Sequence, residues 1–352
     1  MIISRTPYRI SFFGGGTDYP GWFRQHGGEV LATTIDKYCY ITCRYLPPFF
    51  EHRIRVVYSK IENCVTVDEI KHPAARETLR FLDFDRGVEI HHDGDLPARS
   101  GMGTSSSYTV GLLHALYALK GQMPGKRQLA DESIHIEQEM LRETVGCQDQ
   151  VMAAFGGLNH VSFPKDGEAS IKPLTLPASK ITELNDNLLL CYTGIQRTAS
   201  TIAESYVNDL AAKEEQLLSI RDMVQEGVSI LSNDRPIEQF GRLLNEAWLS
   251  KREMGGDVTN PTVDEIYSAA LASGALGGKL LGAGGGGFML LFVPPESRQH
   301  VQKKLNELIY VPFKFETSGS QIIFFEQQED FSYADQARIG QPAPVFQELG
   351  ND

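Results

Sequence analysis

The sequence is poor in cysteine and has no spacing typical of a structural metal site. Its 352 residues include five cysteines, an odd number spread widely along the chain: Cys39, Cys43, Cys64, Cys147 and Cys191. Neither a CxxC pair nor an HExxH string occurs, so a structural zinc site is not indicated. We expect free thiols in a reducing compartment, which places the protein in the cytoplasm.

Long apolar runs and excess positive charge are also absent. No run approaches the roughly 20 apolar residues of a membrane span, and the opening "MIISRTPYRISFF" carries arginines, unlike a signal peptide. The chain has 33 Lys and Arg against 45 Asp and Glu, a net charge of -12. This balance argues against nucleic acid and anionic membranes as partners. A small anionic ligand is still allowed, because local geometry can override net charge.

The strand and helix patterns predict an α+β fold with two lobes. "MIISRTPYRISFF" and "HRIRVVYS" alternate, "EVLATTIDKYCYITCRYL" is β-branched, and "GGGTDYPGWF" between them is typical of a loop. Periodicity predicts helices over 105–119, 128–143, 200–231, 238–251 and 262–272, and apolar strands at "NLLLCYTG" and "FMLLFV". We assign residues 1–172 to an N-terminal lobe, 173–327 to a C-terminal lobe and 328–352 to a polar tail.

The Walker A phosphate loop, G-x-x-x-x-G-K-[ST], is missing, but three other glycine runs lie beside polar residues. The second, "ARSGMGTSSS" at residues 98–107, precedes a predicted helix. Glycines next to the free N–H groups of a helix start form an anion site. The alternative is an ordinary Ser-rich helix cap.

The third run, "GAGGGG" at residues 282–287, satisfies the G-x-G-x-x-G pattern of dinucleotide-binding proteins. That pattern raises an NAD-dependent oxidoreductase as an alternative. In such proteins, however, the glycines follow a strand and open a helix. Here the strand-like "FMLLFV" comes next, which counts against the alternative.

The first run, Gly14–Gly16, precedes Thr17 and Asp18. Together the three runs predict walls around one polyanionic ligand.

Three segments match, in order and spacing, the signature motifs of one kinase family. They are "RTPYRISFFGGGTDYP", "DLPARSGMGTSSS" and "KLLGAGGGGF", between residues 5 and 288. In these segments the sequence resembles the GHMP kinases, a family of small-molecule kinases named after galactokinase, homoserine kinase, mevalonate kinase and phosphomevalonate kinase. The resemblance implies an N-terminal lobe like ribosomal protein S5, a ferredoxin-like C-terminal lobe, and the cofactors ATP and Mg²⁺. It also leaves room for a homodimer.

Within that family, "RISFFGGGTDYP", "GGEVLATTIDKY", "VGCQDQVMAAFGGLNH" and "GGKLLGAGGGGF" are most similar to bacterial kinases of D-glycero-D-manno-heptose 7-phosphate. This implies phosphoryl transfer to the anomeric hydroxyl, giving a 1,7-bisphosphate for nucleotide-activated heptose and surface polysaccharide. Galactokinases carry a Glu-His pair where this chain has Gly15 and Gly16, which counts against galactose. The open alternatives are a kinase of fucose, a uronic acid, galactose or an unphosphorylated heptose, and a nucleotide-binding module without turnover.

The resemblance also implies roles for individual residues. Those of the nucleotide site would be Arg99, Gly101, Gly103, Thr104, Ser105, Ser106, Ser107, Gly284, Gly285 and Gly286. Arg9 would lie beside the transferring phosphate, and Asp149 would be the base that takes the hydroxyl proton. Mg²⁺ would be bound by Glu137 and the hydroxyl of Ser105. The sugar would contact Gly16, Thr17 and Asp18.

Glu137 also stands out without the family. Helical stepping from Ala130 places one glutamate, Glu137, on an apolar stripe with Ile134 and Leu141. The other glutamates of this segment, on the opposite side, are Glu132, Glu139 and Glu143. A glutamate on an apolar stripe needs a compensating partner. That partner is either Mg²⁺ or an arginine in a buried ion pair.

The distal phosphate of a heptose 7-phosphate requires a cationic anchor. Arg197 stands beside Thr198 and Ser200 in "YTGIQRTAS", at a predicted helix start, and is the expected anchor. Weaker candidates are Arg24, Lys37 and Lys251.

Overall fold

The fold combines two sheets with helices packed against them, in a computed structural model that describes residues 1–195, 213–255 and 258–327 and positions 329, 331, 333, 334 and 337. The strands are β1 (Ile2–Phe13), β2 (Gly28–Tyr45), β3 (Ile54–Val57), β4 (Ile61–Cys64), β5 (Val88–Gly94), β6 (Asn159–Phe163), β7 (Ser170–Pro173), β8 (Leu188–Tyr192), β9 (Gly277–Leu280), β10 (Phe288–Phe292), β11 (Ile309–Val311), β12 (Phe315–Glu316) and β13 (Gln321–Phe325). The α-helices are α1 (Pro20–His26), α2 (Pro73–Phe81), α3 (Thr104–Leu119), α4 (Lys126–His135), α5 (Gln148–Phe155), α6 (Ala178–Asp186), α7 (Glu214–Ser232), α8 (Glu238–Glu253), α9 (Pro261–Ala272) and α10 (Arg298–Lys304). The α+β class is confirmed.

The first sheet is built around the two long strands predicted near the N-terminus. Its order is β13-β1-β2-β5-β3-β4, with β6 and β12 also paired to β2 and β7 paired to β6. The strands β1 and β2 run antiparallel, with Ile2 opposite Cys43 and Phe13 opposite Leu31. Helix α3 packs on both strands. Its first turn therefore lies against the sheet that carries Arg9.

The second sheet has the order β11-β8-β10-β9, with every pair antiparallel. All five residues of β10, "FMLLF", are buried, as its continuous apolar run predicts. The segment assigned to the C-terminal lobe does not stay in this sheet. Strand β12 pairs with β2, and β13 pairs with β1, so the chain returns to the first sheet at its end.

Two short helices differ from the sequence prediction. The segment "GGGTDYPGWF", predicted as a loop, continues into helix α1, and α2 follows β4; each has proline in its first turn. Proline fits there because its missing N–H would have no helical partner.

The helix predicted over 128–143 ends at His135 and continues as one π-helical turn, Ile136–Met140. Such turns are frequent at functional sites, and this one contains Glu137.

The cysteines are free, as predicted, and all five are buried. Among the described residues, no helix combines the length and the apolar character needed to cross a bilayer.

Candidate active site

The second glycine run forms the turn that starts α3. Gly101 and Gly103 have φ angles of 82° and 71°, a region that favours glycine. A β-carbon at Gly101 would lie 2.3 Å from the carbonyl oxygen of Leu281. No side chain caps α3, so the N–H groups of its first turn stay open at the positive end of the helix dipole. This excludes the Ser-rich cap and leaves a turn suited to an anion.

The third glycine run packs against this turn. The N–H of Phe288 donates to the carbonyl oxygen of Ser100 at 3.2 Å. A β-carbon at Gly282 would lie 2.5 Å from the Cα of Gly101, so the two runs touch backbone to backbone. The run leads from β9 into the antiparallel strand β10 and opens no helix. It is therefore not the dinucleotide fingerprint, and the oxidoreductase alternative is wrong.

The last glycines of this run contact protein. The N–H of Gly285 donates to the carbonyl oxygen of Val258 at 3.0 Å, and its own carbonyl accepts from Asn260 Nδ2 at 2.9 Å. A β-carbon would lie 2.7 Å from Val258 O at Gly284 and 2.5 Å from Ile195 O at Gly286. Close packing explains these glycines. Their role in binding a nucleotide stays a prediction.

Arg9 and Asp149, predicted as the catalytic residues, form a two-point ion pair beside the second glycine run. Nε and Nη2 of Arg9 each donate to one carboxylate oxygen of Asp149 at 2.7 Å, and Nη1 donates to the carbonyl oxygen of Gly101 at 2.7 Å. A β-carbon at Gly103 would lie 3.3 Å from Asp149 Oδ2. The Arg9 side chain is 5% exposed and that of Asp149 is 24% exposed. A buried guanidinium thus orients a carboxylate that solvent reaches.

Glu137 is fully buried against helix α3, the helix that follows the second glycine run. Its Oε2 accepts from Ser106 Oγ at 2.9 Å and from Gln150 Nε2 at 2.5 Å, and its Oε1 accepts from Thr109 Oγ1 at 2.8 Å. Burial raises the pKa of Glu137 to about 7, although the three donors oppose the shift. These partners are neutral, and no arginine pairs with Glu137 in the described chain. The buried ion pair considered from the sequence is therefore excluded.

The surroundings of Glu137 fit a hard cation. Gln150, whose Nε2 donates to Glu137, has its Oε1 buried without a hydrogen-bond partner. Mg²⁺ prefers oxygen ligands and is commonly held by one or two carboxylates together with substrate phosphates. Within the described ranges, no group of three His, Cys, Asp or Glu residues could hold a metal. Further ligands would therefore be other oxygens, such as those of hydroxyl groups, amides, phosphates or water.

The hydroxyl residues at the start of α3 have different partners. Ser106 contacts Glu137, whereas Ser105, the predicted metal ligand, and Arg99 are exposed. The N–H of Arg99 donates to Thr104 Oγ1 at 3.2 Å. Ser107 donates its hydroxyl to the carbonyl oxygen of Pro7 at 3.0 Å and its N–H to that of Gly103 at 2.9 Å. Both donors of Ser107 are thus used within the protein, which counts against its predicted contact with the nucleotide.

Replacing Ser107 with Ala is expected to lower stability without weakening nucleotide binding. The variant loses the buried hydrogen bond to Pro7, a loss of about 1 kcal/mol in the free energy of unfolding. Urea unfolding measures the stability, and titration with a non-hydrolysable ATP analogue measures the binding. The exposed Ser105→Ala serves as the control for stability. A clear rise in the Kd of the analogue for S107A would return Ser107 to the nucleotide site.

Thr17 and Asp18 support the first glycine run from inside. Thr17 is fully buried, and its Oγ1 donates to the carbonyl oxygen of Gly14 at 2.8 Å. Asp18 is 1% exposed, and its carboxylate accepts from the N–H groups of Gly16 at 2.9 Å and Gln148 at 3.1 Å. Burial raises the pKa of Asp18. The Gly16 N–H, the Thr17 hydroxyl and the Asp18 carboxylate are thus engaged within the protein, which counts against the direct sugar contacts predicted for these residues.

Two lysines add to the positive charge of Arg9. Lys251 on α8 donates to the carbonyl oxygen of Gly282, and Lys279 on β9 donates to that of Phe12. Burial and the nearby Arg9 lower the pKa of Lys251 to about 8. Burial and the neighbouring Lys251 lower the pKa of Lys279 well below its usual value. Arg9 and Lys251 thus place positive charge beside the glycine runs, which suits phosphate binding. Arg197, the predicted phosphate anchor, lies outside the described residues.

Comparison with known proteins agrees with this geometry. The family models "GHMP kinases N terminal domain" and "GHMP kinases C terminal" match residues 68–157 and 230–311. The D-glycero-alpha-D-manno-heptose 7-phosphate kinase of Campylobacter jejuni is 29% identical over 87% of this chain and 93% of its own length. The L-fucokinase/L-fucose-1-P guanylyltransferase of Bacteroides fragilis is 26% identical over 87% of this chain, which spans 36% of that longer protein.

Solved structures share the fold. A D-glycero-D-manno-heptose 1-phosphate kinase from Bacteroides thetaiotaomicron has a TM-score of 0.75 at 23% identity, covering 93% of this chain and 100% of that one. The galactokinase of Lactococcus lactis has a TM-score of 0.71 at 17% identity, covering 91% and 94% of the two chains. Both GHMP domains are thus present, and their glycine runs meet beside a carboxylate and a buried arginine. The chain belongs to the GHMP kinase family and is a phosphotransferase of the sugar-kinase type.

Proposed function

We propose that this kinase transfers the γ-phosphoryl group of ATP to the anomeric hydroxyl of D-glycero-D-manno-heptose 7-phosphate, giving the 1,7-bisphosphate. The observation that carries the proposal is the Arg9–Asp149 pair next to the open first turn of α3. The Campylobacter jejuni relative is named as a kinase of this substrate, and its sequence is 29% identical to this chain over 93% of its own length. This similarity supports the choice of acceptor. The product would feed nucleotide-activated heptose for surface polysaccharide.

Asp149 is the group that accepts the proton of the anomeric hydroxyl. As that oxygen bonds to the γ-phosphorus, the bond from phosphorus to the β,γ-bridging oxygen breaks, and its electron pair leaves with ADP. A weak base suffices because an anomeric hydroxyl is more acidic than an ordinary alcohol. Arg9 holds the carboxylate by two hydrogen bonds and offsets negative charge that develops on the transferring group.

The turn at Gly101 and Gly103, with the first N–H groups of α3, would hold the phosphates of ATP. The remaining proposed nucleotide contacts are Arg99, Thr104, Ser105, Ser106, Gly284, Gly285 and Gly286. Glu137 and the Ser105 hydroxyl would hold Mg²⁺, which when bound neutralises phosphate charge. Ser106, Thr109 and Gln150 keep the Glu137 carboxylate in place.

A fucose kinase is the second candidate, because the Bacteroides fragilis relative is named as an L-fucokinase. Galactose is disfavoured, since Gly15 and Gly16 replace the Glu-His pair of galactokinases. The two candidates differ in the distal phosphate of the acceptor. Heptose 7-phosphate carries one and L-fucose does not.

An acceptor screen with labelled γ-phosphate decides between them. We expect label transfer to heptose 7-phosphate, with ADP release that requires ATP, Mg²⁺ and this sugar together. The unphosphorylated heptose is the matched control, and it should be a much poorer acceptor. Transfer to L-fucose instead would establish the second candidate. Binding of ATP with no acceptor phosphorylated would mean a nucleotide-binding module without turnover.

A further inference from the structure

Two lysines near the active site bind backbone carbonyls rather than carboxylates. Nζ of Lys251 donates to the carbonyl oxygen of Gly282, and Nζ of Lys279 donates to that of Phe12. Across the ranges that the structure describes, neither lysine forms an ion pair with Asp or Glu. Charges that leave water are normally paired, because the protein interior solvates them poorly. The proposed proton transfer uses neither lysine, and their charge suits an anionic ligand.

Lys251 is the more accessible of the two. Lys279 is 6% exposed, whereas Lys251 is partly exposed. An ammonium group has three N–H donors, and Gly282 takes one of those of Lys251. Burial, and then the nearby Arg9, lower the pKa of Lys251 to about 8, which the carboxylate of Asp18 opposes. Lys251 is therefore mostly protonated at pH 7, and an anion beside it would stabilise its charge.

Lys251 lies beside the phosphate turn. It belongs to the last turn of α8, which packs on β9 and β1. Its partner Gly282 touches Gly101, backbone against backbone. Nη1 of Arg9 donates to the carbonyl oxygen of Gly101, and the other nitrogens of Arg9 hold Asp149. One cation thus binds each of the two touching glycines, and a group between the phosphate turn and Asp149 has both cations as neighbours.

We propose that Lys251 binds the γ-phosphoryl group of ATP and stabilises its negative charge during transfer. This inference rests on the proposed function in placing ATP at the phosphate turn, but it holds for any acceptor. The γ-phosphoryl group is the part of ATP that must lie between the turn and Asp149, because the acceptor hydroxyl reacts there. A partly buried ammonium stabilises such charge more than an exposed one, since water screens it less. Lys251 thus serves the donor phosphate and not the distal phosphate of the sugar, for which the sequence offers it as a weaker candidate.

Replacing Lys251 with Met tests this contact, since methionine keeps nearly the length of the side chain and removes the charge. The β,γ-imido analogue of ATP carries a γ-phosphoryl group, and ADP does not. In Mg²⁺, the Kd of the analogue should rise about tenfold or more, the loss expected for a hydrogen bond to a charged group, whereas the Kd of ADP should stay unchanged. With a saturating acceptor, kcat should fall about a hundredfold or more, as when one donor to developing charge is removed.

Lys120→Met is the matched control. Nζ of Lys120 also donates to a backbone carbonyl, that of Leu82, at 3.0 Å, but this lysine caps the far end of α3. K120M should leave both Kd values and kcat unchanged. If Lys251 only held Gly282 in place, K251M would weaken the binding of the analogue and of ADP equally. Equal weakening, or no weakening of either, would overturn the inference.

A pH series separates the charge of Lys251 from its hydrogen bond. A neutral amine still donates to Gly282, but it no longer attracts a phosphate. Because the pKa of Lys251 is about 8, wild type should bind the analogue more weakly as the pH rises above 8, and its advantage over K251M should shrink. The charged groups that face Lys251 in the described chain are Arg9, Asp18 and Lys279, and wild type and K251M share them. An advantage that does not depend on pH would leave Lys251 a structural role only.

Acceptor assays distinguish failure of this inference from failure of the proposed function. K251M should keep the wild-type preference for heptose 7-phosphate over the unphosphorylated heptose. Loss of that preference would place Lys251 on the sugar phosphate and would overturn the inference. If wild type phosphorylates no heptose, the proposed acceptor fails, and the comparison of the analogue with ADP still tests Lys251.

Discussion

Replacing Asp149 with Asn is expected to lower turnover by more than about a hundredfold, the range typical for loss of a general base. Asparagine keeps the size of the side chain and one oxygen that accepts from Arg9, but it cannot take the proton of the acceptor hydroxyl. ATP binding should be little changed, because the phosphate turn at Gly101 and Gly103 is intact. Steady-state ADP release with a saturating acceptor measures kcat, and titration with an ATP analogue measures binding.

Asp68→Asn is the matched control for this variant. Asp68 also accepts two hydrogen bonds from an arginine, Nε and Nη2 of Arg80, at 3.1 and 2.6 Å. That pair is exposed and follows strand β4. If the loss of an aspartate–arginine pair lowered turnover by itself, both D149N and D68N would have a reduced kcat. We expect D68N to keep wild-type kcat. Near wild-type turnover of D149N would remove Asp149 from the role of base.

The sequence was most informative where the backbone demands a particular residue. Gly101 is required because a β-carbon would overlap Leu281, and such a need is visible as a glycine run. Glu137 was found because a carboxylate on an apolar stripe conflicts with its surroundings. Its burial and raised pKa agree with that conflict. The sequence could thus predict residues that are unusual for their local surroundings, such as a run of glycines or a carboxylate on an apolar helix face.

Features that depend on contacts between distant segments could not be predicted. Thr109 and Gln150 meet Glu137 because α3 and α5 pack together, and nothing in their local sequence marks them. The resemblance implies that Ser105 shares Mg²⁺ with Glu137, but the sequence does not reveal that Ser106, the next residue, donates directly to the Glu137 carboxylate.

Replacing Glu137 with Gln is expected to stabilise the metal-free protein and to impair catalysis. Burial raises the pKa of Glu137 from 4.5 to about 7, so the folded protein holds this proton more tightly than the unfolded chain. The stabilisation by the proton is complete below pH 4.5 and is lost as the pH rises through 7. Glutamine is neutral at every pH and has no such loss. Above pH 7 the variant should be more stable by on the order of 3 kcal/mol, the free energy that corresponds to this shift.

Two experiments measure the two effects. Urea unfolding in EDTA should give nearly equal free energies of unfolding for wild type and E137Q near pH 4.5. The excess stability of E137Q should then grow up to about pH 7 and stay constant at higher pH. Kinetics at varied Mg²⁺ should show that E137Q needs more than about ten times the Mg²⁺ concentration of wild type for its half-maximal rate. The reason is that an amide oxygen is a weaker ligand for Mg²⁺ than a carboxylate. Stability gained together with activity lost is the pattern of a charged group retained for function.

Glu139→Gln is the matched control, since Glu139 lies in the same π-helical turn and is exposed. It should change stability by less than about 0.5 kcal/mol at any pH and leave the Mg²⁺ requirement unaltered. A stability gap for E137Q that does not depend on pH would mean that Glu137 stays ionised in the folded protein. An unchanged Mg²⁺ requirement would mean that the metal is held elsewhere. The carboxylate would then serve only to fix Ser106, Thr109 and Gln150 beneath the phosphate turn.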